Sequence, residues 1–256
     1  MSENRLEIEF LGTGTSTGVP VIGCKCEVCR SADPRDNRLR TSAIVRYKGH
    51  NILIDCGPDF RQQILRASSI KIDALLLTHI HYDHVAGIDD LRPYCYERNF
   101  PIYARKEVNE RLRINLPYCF AEHPYPGVPH LSLHDVSRLP FFVEDVEVVP
   151  IEVIHGKLPI LGYRIGPMAF ITDCSNISLK EMDKLKGLEL LVINALHHHP
   201  HHSHMTITQS LNVVRKVQPK EAIFIHMSHE IGLHAKADKQ LPPHVHFAYD
   251  GLIVRI

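Results

Sequence analysis

The sequence predicts an α/β protein in which helices pack outside two sheets. Three observations carry that expectation. Strand-like segments early in the chain come as antiparallel-looking neighbours, later segments alternate strand with helix, and 44% of the 256 residues are hydrophobic with no linker-like stretch among them. A chain of that size buries one large core, so one domain over residues 1–256 is expected.

Leu6-Glu7-Ile8-Glu9-Phe10-Leu11 alternates apolar with charged residues and stops at Gly12-Thr13-Gly14, as a half-buried strand does on meeting a turn. Ser42 to Tyr47 and Asn51 to Asp55 flank Lys48-Gly49-His50 as a hairpin, and a helix follows from Pro58 to Ala67. Ile72 to Leu77 reads as a fully buried strand. Further strands are expected at Pro101 to Ala104, Val146 to Val153, Leu161 to Ile165, Ala169 to Ile171, Leu190 to Asn194, Ala222 to Ile225 and Leu252 to Ile256. Helices fit Glu107 to Arg113, Leu179 to Lys186 and Thr208 to Val217. Between Asn115 and Pro140, five prolines and three histidines without periodicity predict a long irregular excursion, either a lid or a surface loop.

Lys plus Arg equals Asp plus Glu at 29 each, which excludes the large cationic field that draws proteins onto nucleic acid or anionic membranes. The start Met1-Ser2-Glu3-Asn4-Arg5-Leu6-Glu7 lacks the basic end and apolar run of a signal peptide, and no segment reaches transmembrane length; the expectation is a cytoplasmic protein. Seven cysteines are an odd number, and three crowd at Cys24, Cys26 and Cys29, which favours metal ligation over disulfides. Nineteen histidines against no tryptophan direct attention to metal sites.

The strongest chemical signal is His79-Ile80-His81-Tyr82-Asp83-His84, directly after the buried strand. Three imidazoles and a carboxylate in six residues offer nitrogen and oxygen donors to divalent cations, and desolvating them without a partner would cost several kcal/mol. On an extended turn His79 and His81 project the same way, while Asp83 and His84 can face a second ion.

This pattern resembles the signature of the metallo-β-lactamase superfamily, whose fold is an αββα four-layer sandwich and whose members include binuclear hydrolases. The resemblance implies further residues in chain order. Asp55 matches the strand-end aspartate that buttresses the metal loop. The first ion would take His79, His81 and His155, the second Asp83, His84 and His226, and Asp173 would span both.

Cys24-Lys25-Cys26-Glu27-Val28-Cys29 offers three thiols that need a fourth donor for tetrahedral zinc, and His229, three residues beyond His226, is the candidate. Cys56, Cys95, Cys119 and Cys174 have no partner pattern and read as small core or near-site residues. The cysteine loop, the run from Leu11 to Pro20 and the pair His226 and His229 together resemble the PhnP-type phosphodiesterases. That resemblance implies a single metallo-β-lactamase-like hydrolase domain. It would open a small, cyclic ribose phosphodiester with a metal-bridged hydroxide, two catalytic ions (zinc or manganese) and one structural zinc, as a homodimer without nucleic acid. It also implies a catalytic histidine, matched by His204, and Asp83 is counted as catalytic beside it as well as a ligand; the run His197 to His202 leaves the register of His204 open by a few residues.

Two rivals share parts of this pattern. A ribonuclease Z-like tRNA-processing endonuclease carries its substrate-gripping arm, where present, between the third ligand and the bridging aspartate, and here only residues 156–172 lie there. A PqqB-like cofactor-biosynthesis protein resembles the cysteine loop but departs from the full ligand set, which this chain keeps. A metal-storage module, in which the histidines merely chelate, is the non-enzymatic alternative.

Overall fold

Leu6, Ile8 and Phe10 are fully buried on one face of the first strand, as the alternating pattern requires, and that face meets a second sheet. A computed structural model describes residues 5–96 and 98–256; the acidic start at 1–4 lies outside the described residues.

The first sheet contains β1 (Glu7–Gly12), β2 (Ser42–Tyr47), β3 (His50–Ile54), β4 (Ala74–Leu76), β5 (Phe100–Ala104) and β6 (Leu131–Asp135) in that spatial order. The chain then builds the second sheet from β7 (Phe141–Val143), β8 (Val146–His155), β9 (Leu158–Ile165), β10 (Met168–Ile171), β11 (Asn176–Ile177), β12 (Leu190–Asn194), β13 (Glu221–Ile225) and β14 (Val245–Phe247). Its path runs β11-β8-β9-β10-β12-β13-β14, with β7 paired to β8, and β15 (Ile253–Arg255) returns to the first sheet beside β1.

One core lies between the sheets, where Ala43, Val45, Ile52 and Ile54 meet Val148, Leu161, Tyr163, Phe170 and Val192. The alternate residues Ile44, Leu53 and Leu75 face outward beneath α1 (Phe60–Arg66), with α2 (Tyr82–Val85) and α3 (Lys106–Asn115) along the same side. On the other side, α4 (Leu179–Met182), α5 (Ile207–Val217) and α6 (His234–Ala237) cover Ile171, Leu191, Ile193 and Phe224. Helix, sheet, sheet, helix is the expected four-layer sandwich.

Several expectations shift at this level. The strand expected over Ile72 to Leu77 pairs only through Ala74–Leu76, and the helix expected over Leu179 to Lys186 divides into α4 and a 3-10 turn, Asp183–Leu185. The stretch 115–140 is not irregular throughout, because β6 pairs in parallel with β5 there and closes the edge of the first sheet. Strands β7, β11 and β14 carried no expectation. Among the described residues, no helix is long and apolar enough to cross a membrane.

Candidate metal centre

The parallel pairs β3/β4, β10/β12 and β12/β13 bring carboxyl ends of strands to a common rim, where functional groups gather in α/β sheets. Asp55 directly follows β3, Asp173 stands two residues past β10, and His226 directly follows β13. All three hold left-handed backbone, with φ of 59°, 55° and 56°. Such conformations cost a non-glycine residue of order 1–3 kcal/mol, so the surrounding packing must impose them. Part of that packing is the approach of residues 55–57 to α2: a Cβ on Gly57 would meet the Asp83 carbonyl oxygen at 2.0 Å. The Cys56 N–H donates to the His84 carbonyl at 2.8 Å across the same contact.

Within this frame His79, His81 and His155 form one cluster of ligand atoms, and Asp83, His84, Asp173 and His226 form another. His79 Nε2 lies 3.0 Å from His81 Nδ1, so the two rings turn different nitrogens toward one point. Asp173 groups with the second set and also with His155 and His204, which puts its carboxylate between the two. Its Oδ1 lies 3.1 Å from His226 Nε2, and its Oδ2 lies 3.2 Å from His84 Nε2.

The ring nitrogens facing away from the cluster are held in place. His84 Nδ1 lies 2.7 Å from Asp55 Oδ2, and His155 Nδ1 lies 2.9 Å from the Ser203 carbonyl; both partners only accept, so each Nδ1 carries the proton. The Thr78 hydroxyl donates to Asp55 Oδ2 at 2.8 Å and stands 3.0 Å from His79 Nδ1. Asp55 is itself fully buried and accepts the Thr78 N–H, which fits the orienting role expected for it.

The donor set asks for cations. His84 donates its Nδ1–H to Asp55, and although burial opposes a second proton on the ring, the Asp173, Asp55 and Asp83 carboxylates outweigh it and hold its pKa well above the usual imidazole value. Oxygens of Asp83 and Asp173 stand 3.2 Å from its Nε2, so the pocket draws positive charge to this point, either a proton on the ring or a cation in its place. Burial opposes ionisation of Asp173, but His226 and His84 outweigh it and hold the carboxyl well below its ordinary range. Burial holds His226 down to about 4 and His79 well below its usual value, so both rings are neutral at pH 7. Neutral imidazoles and ionised carboxylates are the forms that bind divalent metals.

His204 sits where the chain enters α5, fixed by a capping box between Thr206 and Gln209. Its Nε2 lies 2.9 Å from Asp173 Oδ1, its ring stacks on His226, and it shares a cleft of about 480 Å³ with His81, Asp83, His155 and His226. His202, Ser203, Lys157 and Ser16 are also in the lining, whereas His197 turns toward Glu230 at 3.6 Å. Of the histidine run it is therefore His204 that touches the candidate ligands. A cleft of about 510 Å³ walled by Phe60, Ile64, Leu65 and Tyr94 has similar size but gathers no ligand cluster among the described residues.

The cysteine cluster forms as expected, with the sulfurs of Cys24, Cys26 and Cys29 lying 3.5, 3.2 and 3.6 Å from His229 Nδ1. Tetrahedral zinc with ordinary Zn–S and Zn–N bonds separates sulfur from nitrogen by about 3.6 Å, so the donors suit that ion. The hydrogen bond with His229 draws the Cys26 thiol down to about 6, a thiolate at neutral pH, while burial pushes Cys29 up to about 11.

Three groups escaped sequence reasoning. The Asn194 side chain accepts the Cys174 N–H at 2.8 Å and donates to the Cys174 carbonyl at 3.1 Å, fixing the turn after Asp173. Ser203, through its carbonyl, and Thr41, beside His226, are the others. Asn194 at a strand end was the only one with a positional signal.

A family model described as the beta-lactamase superfamily domain matches residues 50–227, which include every candidate ligand of the histidine centre. The crystal structure of a diphosphatase of the PhnP family superposes with a TM-score of 0.92 at 39% identity, over 98% of this chain and 97% of that one. A Porphyromonas gingivalis protein named octanoyltransferase is 49% identical over 246 residues, 95% of this chain and 50% of that protein. Coenzyme PQQ synthesis protein B of Bradyrhizobium diazoefficiens is 33% identical over 206 residues, 71% of this chain and 63% of that protein. The chain thus spans half to under two thirds of these two curated relatives.

Proposed function

The chain belongs to the metallo-β-lactamase superfamily and is PhnP-like, and on that premise we propose that it is a binuclear metal-dependent hydrolase of small phosphodiesters. The observation that carries the reading is Asp173, whose carboxylate lies between two clusters of imidazoles. His79, His81 and His155 would hold one ion, Asp83, His84 and His226 the other, and Asp173 both. Two divalent ions, zinc or manganese, supply Lewis acidity and an activated water when bound.

The chain's own groups do the rest. Asp55, Thr78 and the Ser203 carbonyl hold the imidazoles in one tautomer, which keeps the cage preorganised. His204 reaches into the cleft beside Asp173, where it donates a hydrogen bond to a phosphoryl oxygen or a proton to the leaving oxygen. Asp83 at the cleft wall would help to hold the second ion. Cys24, Cys26, Cys29 and His229 hold a structural zinc. A cytoplasmic homodimer, with a cyclic ribose phosphate as substrate, completes the proposal by resemblance.

A second reading, cleavage of a diphosphate bond, is supported by the 39% identical relative being a diphosphatase. Octanoyl transfer is not part of the proposal: that relative has as much chain again outside the match, and no thiol lines the cleft among the described residues. The test joins metal analysis with turnover of bis(p-nitrophenyl) phosphate, cyclic phosphates, a nucleoside diphosphate, a β-lactam and a thioester. Hydrolysis of the phosphodiesters is expected, and turnover of the thioester alone would overturn the reading.

A further inference from the structure

His226, like His79, meets a hydroxyl rather than a carboxylate or carbonyl at its outward nitrogen. Its Nδ1 lies 3.1 Å from the hydroxyl of Thr41, a residue only 1% exposed, placed just before β2 on the long first loop. That hydroxyl donates to the Gly14 carbonyl at 2.9 Å. A hydroxyl has one proton, and once Gly14 takes it only lone pairs remain to face the ring. Thr78 acts on His79 by the same logic, its proton being committed to Asp55. His226 Nε2 meets the Asp173 carboxylate at 3.1 Å, which favours a proton on that nitrogen, and the Thr15 hydroxyl stands beside it at 3.2 Å. Two tautomers therefore compete, and the one with Nε2 protonated cannot ligate.

We propose that Thr41 is a positioning residue for the second ion: by accepting from Nδ1 it keeps the His226 Nε2 lone pair free for the metal. The proposal rests on the two-ion reading. Thr41 belongs to the loop that carries the cysteines, and Gly14, which takes its proton, bridges to Met227 beside His226. The fit of the first loop thus reaches the catalytic cleft through one hydroxyl.

The test is a chelator titration of the fully zinc-loaded protein, counting each class of ion, on wild type, Thr41→Val and Thr41→Ser. In Thr41→Val one of the two catalytic ions should leave at about 10-fold to 100-fold weaker competition, the usual cost of losing an outer partner of a ligating histidine. Thr41→Ser, which keeps the hydroxyl, should stay within about 3-fold of wild type, with the other ion and the thiol zinc unmoved. If valine does not fold, Thr41→Ala replaces it with the same expectation. Equal affinity in wild type and the hydroxyl-free variant overturns the proposal, as does equal weakening in the serine variant or of all three ions together. A wild-type protein that holds only the thiol zinc overturns the two-ion reading itself.

Discussion

The histidine centre and the cysteine cluster both draw on the segment from His226 to His229, yet they are assembled differently. Donors of the histidine centre stand at strand ends on the rim of two sheets, and His79, His84, Asp173 and His226 are all buried. Three cysteine donors stand on a loop whose only helical element before β2 is the 3-10 turn Pro34–Asp36, and each is partly exposed. In the first case the fold makes the site that the proposed metals would fill. In the second, the proposed metal holds the loop in place. The difference teaches that one short segment can serve a rigid centre on its buried side and a pliable one on its outer side.

The largest expected effect tests the rigid half. Asp173→Ala should lower phosphodiester turnover by about 10³-fold or more, since bridging two ions is worth several kcal/mol and each 1.36 kcal/mol is tenfold. Elemental analysis should show catalytic ions lost and the thiol zinc retained; loss of all ions together would erase the contrast between the centres. Cys26→Ser should do the converse, releasing one zinc and lowering the melting temperature by about 5 °C or more while the catalytic ions stay bound. An unchanged zinc count would reject the structural site.

Gly57→Ala probes whether the rigid centre tolerates local movement. Its added methyl would strike the Asp83 carbonyl, so destabilisation of about 1–3 kcal/mol in denaturant melts is expected, with weaker catalytic metal binding. The mildest test concerns His234, which lies outside both centres beside the buried Arg38 guanidinium at 3.1 Å. Burial and that guanidinium hold its pKa down to about 4, against about 6.5 for an unperturbed histidine. Between those values the unfolded chain binds the extra proton, so this residue's contribution is intact above about pH 6.5 and is lost as the pH falls through about 4. In metal-free protein, His234→Gln should flatten the slope of stability against pH in that window, and an unaltered slope would assign it to other groups.

Much of the frame was legible in the sequence for the same reason that makes the histidine centre rigid. Ser42–Tyr47 and Leu190–Asn194 form strands with the expected limits, because central strands declare themselves through apolar content. Leu131–Asp135 escaped because an edge strand is only half buried and its partner β5 lies far back in the chain. Val245–Phe247 is too short to carry a period and sits among prolines and histidines. The candidate ligands stood out by chemical type at strand ends. Thr41 and Ser203 did not, because hydroxyl residues are common and their partners His226 and His155 lie 185 and 48 residues away.

The spread of the histidine centre along the chain also bears on how the protein is made and lost. Its donors run from His79 to His226 and come from both sheets, so no short segment of the chain presents more than the His79 to His84 portion. The complete set of donors therefore comes together only where both sheets are in place. Metal of the catalytic kind would then bind the native state and hardly at all the unfolded one, and such binding withdraws the chain from the opened forms that proteases cut. The lifetime of the protein should therefore track the supply of metal.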